Sequence, residues 1–391
     1  MRKTFAVLFL MMVAGSALAT VPGTDLYVPA VGHGLGQVVD GVRANWRADV
    51  WVFNPSTSQP ATVDILMLLR DRANLTPDSR RITVNAGETR YLPDIVFNTF
   101  ALDNTFGALR IVSSIPVVVS GRSYDANVTV VGKGQGSAGQ FFSGVPAALA
   151  IGLGDATDVI GLDQDGVQTS GTWRSNLAFV ETTGNSVDLT ISRIDSNGTQ
   201  LGSIGYHLEG RQVSQINYVI TSIVNTTGTN QRIRVAVTGG TGRVIANASR
   251  LDNRTGDPAT IEMVGGGREG TYVSRLDRAD YQTPITLTVA GGAVTALDAT
   301  ILFTDADVAS CTDIQLAAFS GPLSQPVFYD ETGAFSFVVS DPNVGGIGIS
   351  LQISGTITVT GQVSGTATTT LTGAGTCTGS KAWAFEGAKL Q

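Results

Sequence analysis

The sequence predicts an all-β protein: two tandem immunoglobulin-like β-sandwiches followed by a small antiparallel β-barrel or sandwich. Three observations carry this prediction. A set of short motifs recurs at offsets of 117 to 127 residues, about one domain length and far above solenoid periods. Runs rich in Val, Ile and Thr alternate with Gly, Pro, Asn and Asp at the short spacing of strands and turns. From Ile349 to Leu371, apolar or small residues alternate with Ser, Thr and Gln, which gives one dry face and one wet face.

The N-terminus reads as an export signal. Arg2 and Lys3 precede an apolar run from Phe5 to Val13, and Ala17-Leu18-Ala19 forms a small-x-small cleavage site, so residues 1–19 are removed. The run falls short of the about 20 residues that a bilayer demands. No second apolar span follows, so no membrane span is expected after signal removal. The expected location is secreted or at the cell surface, or else the periplasm. Removing Arg2 and Lys3 takes the formal charge from −7 to −9. A mildly acidic chain does not attract phosphate backbones or anionic membrane surfaces, which argues against nucleic acid as a partner.

The first repeat spans 24–141 and the second 142–264. Val28-Pro29-Ala30 returns as Val145-Pro146-Ala147, and Gly34-Leu35-Gly36 as Gly152-Leu153-Gly154. Trp46-Arg47 returns as Trp173-Arg174, Val63-Asp64-Ile65 as Val187-Asp188-Leu189, and Leu109-Arg110-Ile111 as Ile233-Arg234-Val235. Val117 to Asp125 is echoed by Val244 to Asp252. The strand spacing within each copy fits a two-sheet sandwich. Leu109 to Val112 and Val117 to Ser120 read as separate strands flanking Ser113-Ser114-Ile115-Pro116. One or two helical turns are expected over Asp94 to Ala101, capped by Asp94, and over Gln215 to Ile223. Gly134 to Gly139 reads as a flexible hinge between the repeats.

Gly265-Gly266-Gly267 marks a linker over 265–269. In the C-terminal module, 270–391, Ile285 to Val289 and Val294 to Phe303 read as a hairpin around Gly291-Gly292, and Phe335 to Val339 as a further strand. The alternating run from Ile349 would stretch roughly 75 Å as one strand, so it must fold back near Gly355, Gly361 or Gly365. The two cysteines, Cys311 and Cys377, read as one disulfide in an oxidising compartment, with two buried free thiols as the alternative.

These features resemble multi-module proteins exported by Gram-negative soil-type bacteria. The resemblance rests on Val28-Pro29, Trp46-Arg47-Ala48-Asp49, the strand Val50 to Phe53, Ala86-Gly87-Glu88 and Leu109-Arg110-Ile111, with Cys377 and Trp383 in the last module. The second copy departs from it at Glu209-Gly210-Arg211. The resemblance implies export and an immunoglobulin-like fold, and it brings no catalytic residues.

Chemistry-bearing patterns are sparse. His33 and His207 lie in different repeats with no acid or Cys at ligand spacing, so they read as surface or loop histidines rather than zinc ligands or triad members. Asp94, Asp103, Glu181 and Glu209 are candidates for paired carboxylates, and none stands out from ordinary loop acids. Asp155, Asp158, Asp163 and Asp165 form the richest acidic cluster, a candidate calcium loop set against the reading of solvated acids; no other cofactor is expected. Trp46 and Trp173 read as core residues of the two sandwiches. Trp51 and Phe53 share the opposite face of their strand with Arg47 and Asp49, and the second copy has Ala178 and Val180 in the aromatic positions. Exposed, they form an aromatic platform for ligand binding; covered, they pack under a loop or against the second module. The expected function is therefore that of a non-catalytic structural or adhesive protein whose partner is a protein or polysaccharide at the cell surface. A carbohydrate- or ligand-binding module is the alternative, and a secreted hydrolase is a distant third.

Overall fold

The computed structural model describes residues 22–39, 42–130, 134–264, 267–268, 270–277, 284–290, 293–303, 315–329, 333–344, 347–358, 361–373 and 378–390. The expected export signal, both cysteines, most of the expected linker over 265–269 and the expected turn at Gly291-Gly292 lie outside them. The chain is all-β. Three apolar cores follow one another along it, and no helix among the described residues is long and apolar enough to cross a membrane.

The first module contains β1 (Gly23–Val39), β2 (Val42–Phe53), β3 (Ala61–Leu69), β4 (Asp78–Val84), β5 (Thr89–Leu92), the helical turn α1 (Ile95–Asn98), β6 (Thr105–Val130), β7 (Gly134–Ser143) and β8 (Val145–Pro146). Their order is β4-β3-β6-β1-β2-β5, with β7 on β6 and β8 on β1. Two strands serve both walls. The first half of β6 pairs with β3 and the second half with β2 and β7. β1 pairs with β6 early and with β2 late, after a bulge. These bends join the two sheets into a half-barrel, as bulges permit. Alternate residues such as Val28, Val50, Val52, Ile65 and Ile111 fill its core.

Here the structure corrects three expectations. Ser113 to Pro116 is no turn, because β6 runs through it; Pro116 has no ladder partner where the strand passes between sheets, a position that tolerates a missing N–H. The Gly134–Gly139 stretch is no hinge but half of β7, and its glycines permit close approach: a Cβ at Gly139 would fall 2.6 Å from the Ser123 carbonyl oxygen. Val145-Pro146 does not open the second copy either. It pairs with Tyr27 and Leu26 of β1 and closes the first module.

The second module contains β9 (Ala156–Gln164), β10 (Trp173–Glu181), β11 (Val187–Ile194), β12 (Gln200–Leu208), β13 (Val213–Ile216), α2 (Val219–Ile223), β14 (Gly228–Gly240), β15 (Val244–Asp252) and β16 (Pro258–Glu262). It is a sandwich of two separate four-stranded sheets, β13-β10-β15-β16 and β12-β11-β14-β9. The remaining repeat motifs explain its pairing. Trp46 lies opposite Asp125 and Trp173 opposite Asp252. Arg110 forms a double hydrogen bond with Asp25, and Arg234 does the same with Asp158. Asp64 faces Arg81 across the sheet, and Asp188 faces His207.

The two modules are packed together. Tyr27, Leu68 and Ala108, on the outer face of the first, form a buried cluster with Val180, Val213 and Ile245 of the second. The Tyr27 hydroxyl donates to the Thr182 carbonyl at 2.8 Å, and the Asp71 N–H to that of Val213 at 2.7 Å.

The third module contains β17 (Gly270–Leu276), β18 (Pro284–Ala290), β19 (Ala293–Phe303), β20 (Gln315–Phe328), β21 (Ala334–Val344), β22 (Ile347–Ile357), β23 (Gln362–Gly373) and β24 (Gly379–Lys389). They form one antiparallel sheet, β20-β19-β18-β17-β24-β23-β22-β21, curled into a near-barrel around an apolar interior. The alternating run folds back at Gly361, whose φ of 78° suits glycine. Gly355 and Gly365 face each other across β22 and β23, and the Phe385 ring occupies the space their side chains would need. The junction with the second module is a buried polar knot. Asp155, 1% exposed, accepts from Arg268 and from the Tyr329 hydroxyl, while Arg268 donates to the Ile357 carbonyl.

Candidate ligand-binding surface

Strand alternation places the surface. Ala48, Val50 and Val52 point into the first core, so Arg47, Asp49, Trp51 and Phe53 take the outer face of β2. Pairing then sets Tyr91 of β5 beside Trp51, and Arg122 of β6 between Asp49 and Phe141 of β7. The rings stand against one another. Trp51 stacks on Tyr91 at 5.1 Å between centroids and lies 6.2 Å from Phe141. The Arg122 guanidinium sits 6.0 Å from the Phe141 ring and 4.5 Å from that of Tyr124. The result is a ladder of four rings and one guanidinium across β5, β2, β6 and β7. Phe141 is 59% exposed, Tyr91 49% and Phe53 37%; Trp51 between them is half-buried. Stacking and cation–π attraction hold such a row together on an open sheet face.

Of the four sequence candidates, Trp51 and Phe53 belong to this surface. Asp49 lies beneath it as a support, which corrects its reading as a ligand contact; Arg47 is partly exposed and pairs with Asp94. Asp49 is 6% exposed. Its carboxylate accepts the Asp94 N–H at 2.9 Å and the Tyr91 hydroxyl at 3.0 Å. Burial, and then the hydrogen bond to Asp49, push the Tyr91 phenol above its ordinary pKa. Asp94 has a φ of 40°, so Asp49 holds a left-handed residue at the start of α1. Asn176 does the same for Tyr218 before α2, at 3.0 Å and a φ of 54°. Against the expectation from sequence, the carboxylate of Asp94 does not cap its helix; it pairs with Arg47 at 3.2 Å.

The remaining candidates are placed as follows. His33 is neither a surface nor a loop residue: it is largely buried on β1, 2.9 Å from Asp94 and 3.4 Å from Asp103, with its ring stacked on Phe97. These acids lie 61 and 70 positions away, beyond any local motif. His207 is exposed between Asp188 and Glu209, in the cross-strand place that Arg81 fills in the first copy. The hydrogen bond to Asp188 raises its pKa. Glu181 is fully buried and accepts N–H groups from Thr183, Gly184, Arg211 and Arg243, so it organises the junction of the first two modules.

The four acids of the candidate calcium loop do not converge. Asp155 belongs to the Arg268 knot, Asp158 pairs with Arg232 and Arg234, Asp163 with Arg250, and Asp165 accepts the Trp173 N–H. Strand β9 holds them apart along its length. Among the described residues no group of three or more His, Cys, Asp or Glu side chains is placed to hold a metal ion.

Trp46 and Trp173 flank the cores rather than fill them. Trp46 covers Gly36, and Trp173 lies under the Arg250 guanidinium at 4.8 Å. Trp173 opens β10, and Trp46 lies where the pairing of β2 passes from β1 to β6. No protein-family model matches the chain, and no curated protein and no solved structure does either.

Proposed function

We propose that this chain is a non-catalytic, exported adhesive protein whose packed modules hold the aromatic ladder out toward a surface polysaccharide. The observation that carries the reading is Trp51. It stands in an exposed row with Tyr91 and Phe141 rather than under a loop or against the second module. Exposed aromatic patches of this kind mark interaction sites, because water gains by leaving them. The ladder offers ring faces and edges for sugar stacking, while the hydroxyls of Tyr91 and Tyr124 both turn to the Asp49 carboxylate beneath it and fix the rings. The charged groups nearest the ladder support its geometry: Asp49, Asp94 and Arg47 are bonded to one another's neighbours. Packed junctions on both sides of the second module suit a rigid spacer.

The test is retention of the mature chain, residues 20–391, on a panel of neutral glycans and insoluble polysaccharides, beside Trp51→Ala. Wild-type retention is expected on at least one, weakened at least tenfold in the variant, which is about 1.4 kcal/mol. The melting profile should be almost unchanged, since an exposed stack contributes only about 1 kcal/mol. Silence on every glycan, or equal binding by the variant, would overturn the reading.

A further inference from the structure

A second feature lies where the first two modules diverge from their packed contact. There the outer face of β13, β10 and β15 opens into a cleft of about 1150 Å³, walled on the other side by the bends of β1 and β6. Its charge is opposite to that of the chain. Arg47, Arg70 and Arg122 line it from the first module and Arg174 and Arg254 from the second, against Asp125 and Asp257; Arg47 and Arg70 are paired with Asp94 and Asp71, which leaves the lining basic through Arg122, Arg174 and Arg254. The protein as a whole carries a formal charge of −7.

Arg174 is the unusual group. It is 8% exposed; among the described residues it forms no ion pair, and its one hydrogen bond goes to Oδ1 of Asn253. That bond occupies Nη1, and the side chain lines the cleft. Burial lowers its pKa from the ordinary value, as expected of a guanidinium without a carboxylate. Such a group gains from a planar anion that accepts two N–H bonds at once. The rest of the lining is suited to hydroxyls. Asn176 commits its Oδ1 to the Tyr218 N–H; beside it Gln215 donates to Asn217 and keeps its Oε1 as an acceptor, Gln140 is bonded to Ser249 and Thr260, and Trp46 completes the lining.

We propose that this cleft binds an acidic oligosaccharide, with a uronate carboxylate on Arg174 and the sugar hydroxyls on the surrounding amides. The site is independent of the polysaccharide reading of the ladder, although Arg122 stands in both. Calorimetric titration of the mature chain with tetragalacturonate tests it, with maltotetraose and tetraglutamate as neutral and peptide controls. Tetragalacturonate should bind, maltotetraose should not, and tetraglutamate should bind at least tenfold more weakly. Arg174→Gln should weaken tetragalacturonate at least tenfold, and Arg174→Lys should restore only part of the loss. Arg254→Ala, an exposed turn residue, should weaken it two- to fivefold, and it decides the matter if Arg174→Gln disturbs the fold by circular dichroism. No binding of tetragalacturonate, unchanged affinity in the folded variants, or equal binding of tetraglutamate would overturn the proposal. Loss of neutral-glycan retention in Trp51→Ala reports on the ladder alone, so the two readings fail separately.

Discussion

The two repeats carry the same sheet face in two circumstances, and its composition follows what covers it. In the first module the outer face of β5, β2, β6 and β7 is open and bears Tyr91, Trp51, Arg122 and Phe141. Strand pairing places Gln215, Ala178, Ser249 and Thr260 at the matching positions of the second. There the face turns toward the first module. Where it touches, Val180 and Ile245 pack on Tyr27 and Leu68; where it parts, small and polar residues leave room for the cleft. Large rings would prop the modules apart, so an aromatic ladder is compatible only with the uncovered copy.

The cores differ too, and this difference invites the harshest test. By strand pairing, Arg193 opposite Ile233 stands where Met67 stands opposite Leu109. Both side chains are essentially fully buried. Arg193 donates to the carbonyls of Ile220, Val224, Thr226 and Thr227 and to Oε1 of Gln231. It thereby ties down the loop between α2 and β14. Among the described residues no acid pairs with it, so backbone dipoles balance its charge, and burial lowers its pKa. Arg193→Met places the first module's solution in the second and leaves those carbonyls unpaired. A loss of roughly 4 kcal/mol is expected, since each buried unmet group costs about 1–3. Urea unfolding would check it; a loss under 1 kcal/mol would mean that the two cores are interchangeable at this point.

Packing between the modules is the next contrast, because it separates the covered face from the open one. Tyr27 is fully buried away from its own core, with its ring on the second module and its hydroxyl on Thr182. Burial pushes its phenol pKa up, so it stays neutral and donates. Tyr27→Ala should cost about 3 kcal/mol, in the range of large aromatic truncations. It should also split one calorimetric transition of the first two modules into two, because coupling and not either core is lost. A single unsplit transition would place the coupling elsewhere.

These contrasts show how far the sequence could be read. Alternation in β2, β22 and β23 and the recurring Trp-Arg, Val-Asp and Leu-Arg-Ile motifs announced strands, because period two is local in the chain; their register was not legible, since partners such as Arg110 and Asp25 lie 85 positions apart. Val145-Pro146 misled because an echo of three residues carries no register of its own. The ladder was half visible. Trp51 and Phe53 lie on one strand, but Tyr91, Arg122 and Phe141 arrive from three others, 40 to 90 positions away. The cleft could not be foreseen, since it depends on how two modules lean together. The same holds for His33, whose partners Asp94 and Asp103 are brought to it by the approach of α1 to β1.

The finest test concerns a point where the copies agree. Asp49 and Asn176 occupy the same position and hold the same left-handed N–H, Asp94 in one copy and Tyr218 in the other. If that hydrogen bond is what the position supplies, charge is dispensable there. Asp49→Asn should then cost under about 0.5 kcal/mol, while Asp49→Ala should cost about 1–2, the value of a lost side-chain bond to a buried N–H. Asp49 also accepts from Tyr91, so the alanine variant should loosen the ladder and broaden the ring signals of Tyr91 and Trp51 by NMR. The asparagine variant should keep them sharp. An equal loss in both variants would show instead that the carboxylate charge beside Arg122 and Arg47 matters, and that the first copy has made of this shared turn a polar support which the second does not need.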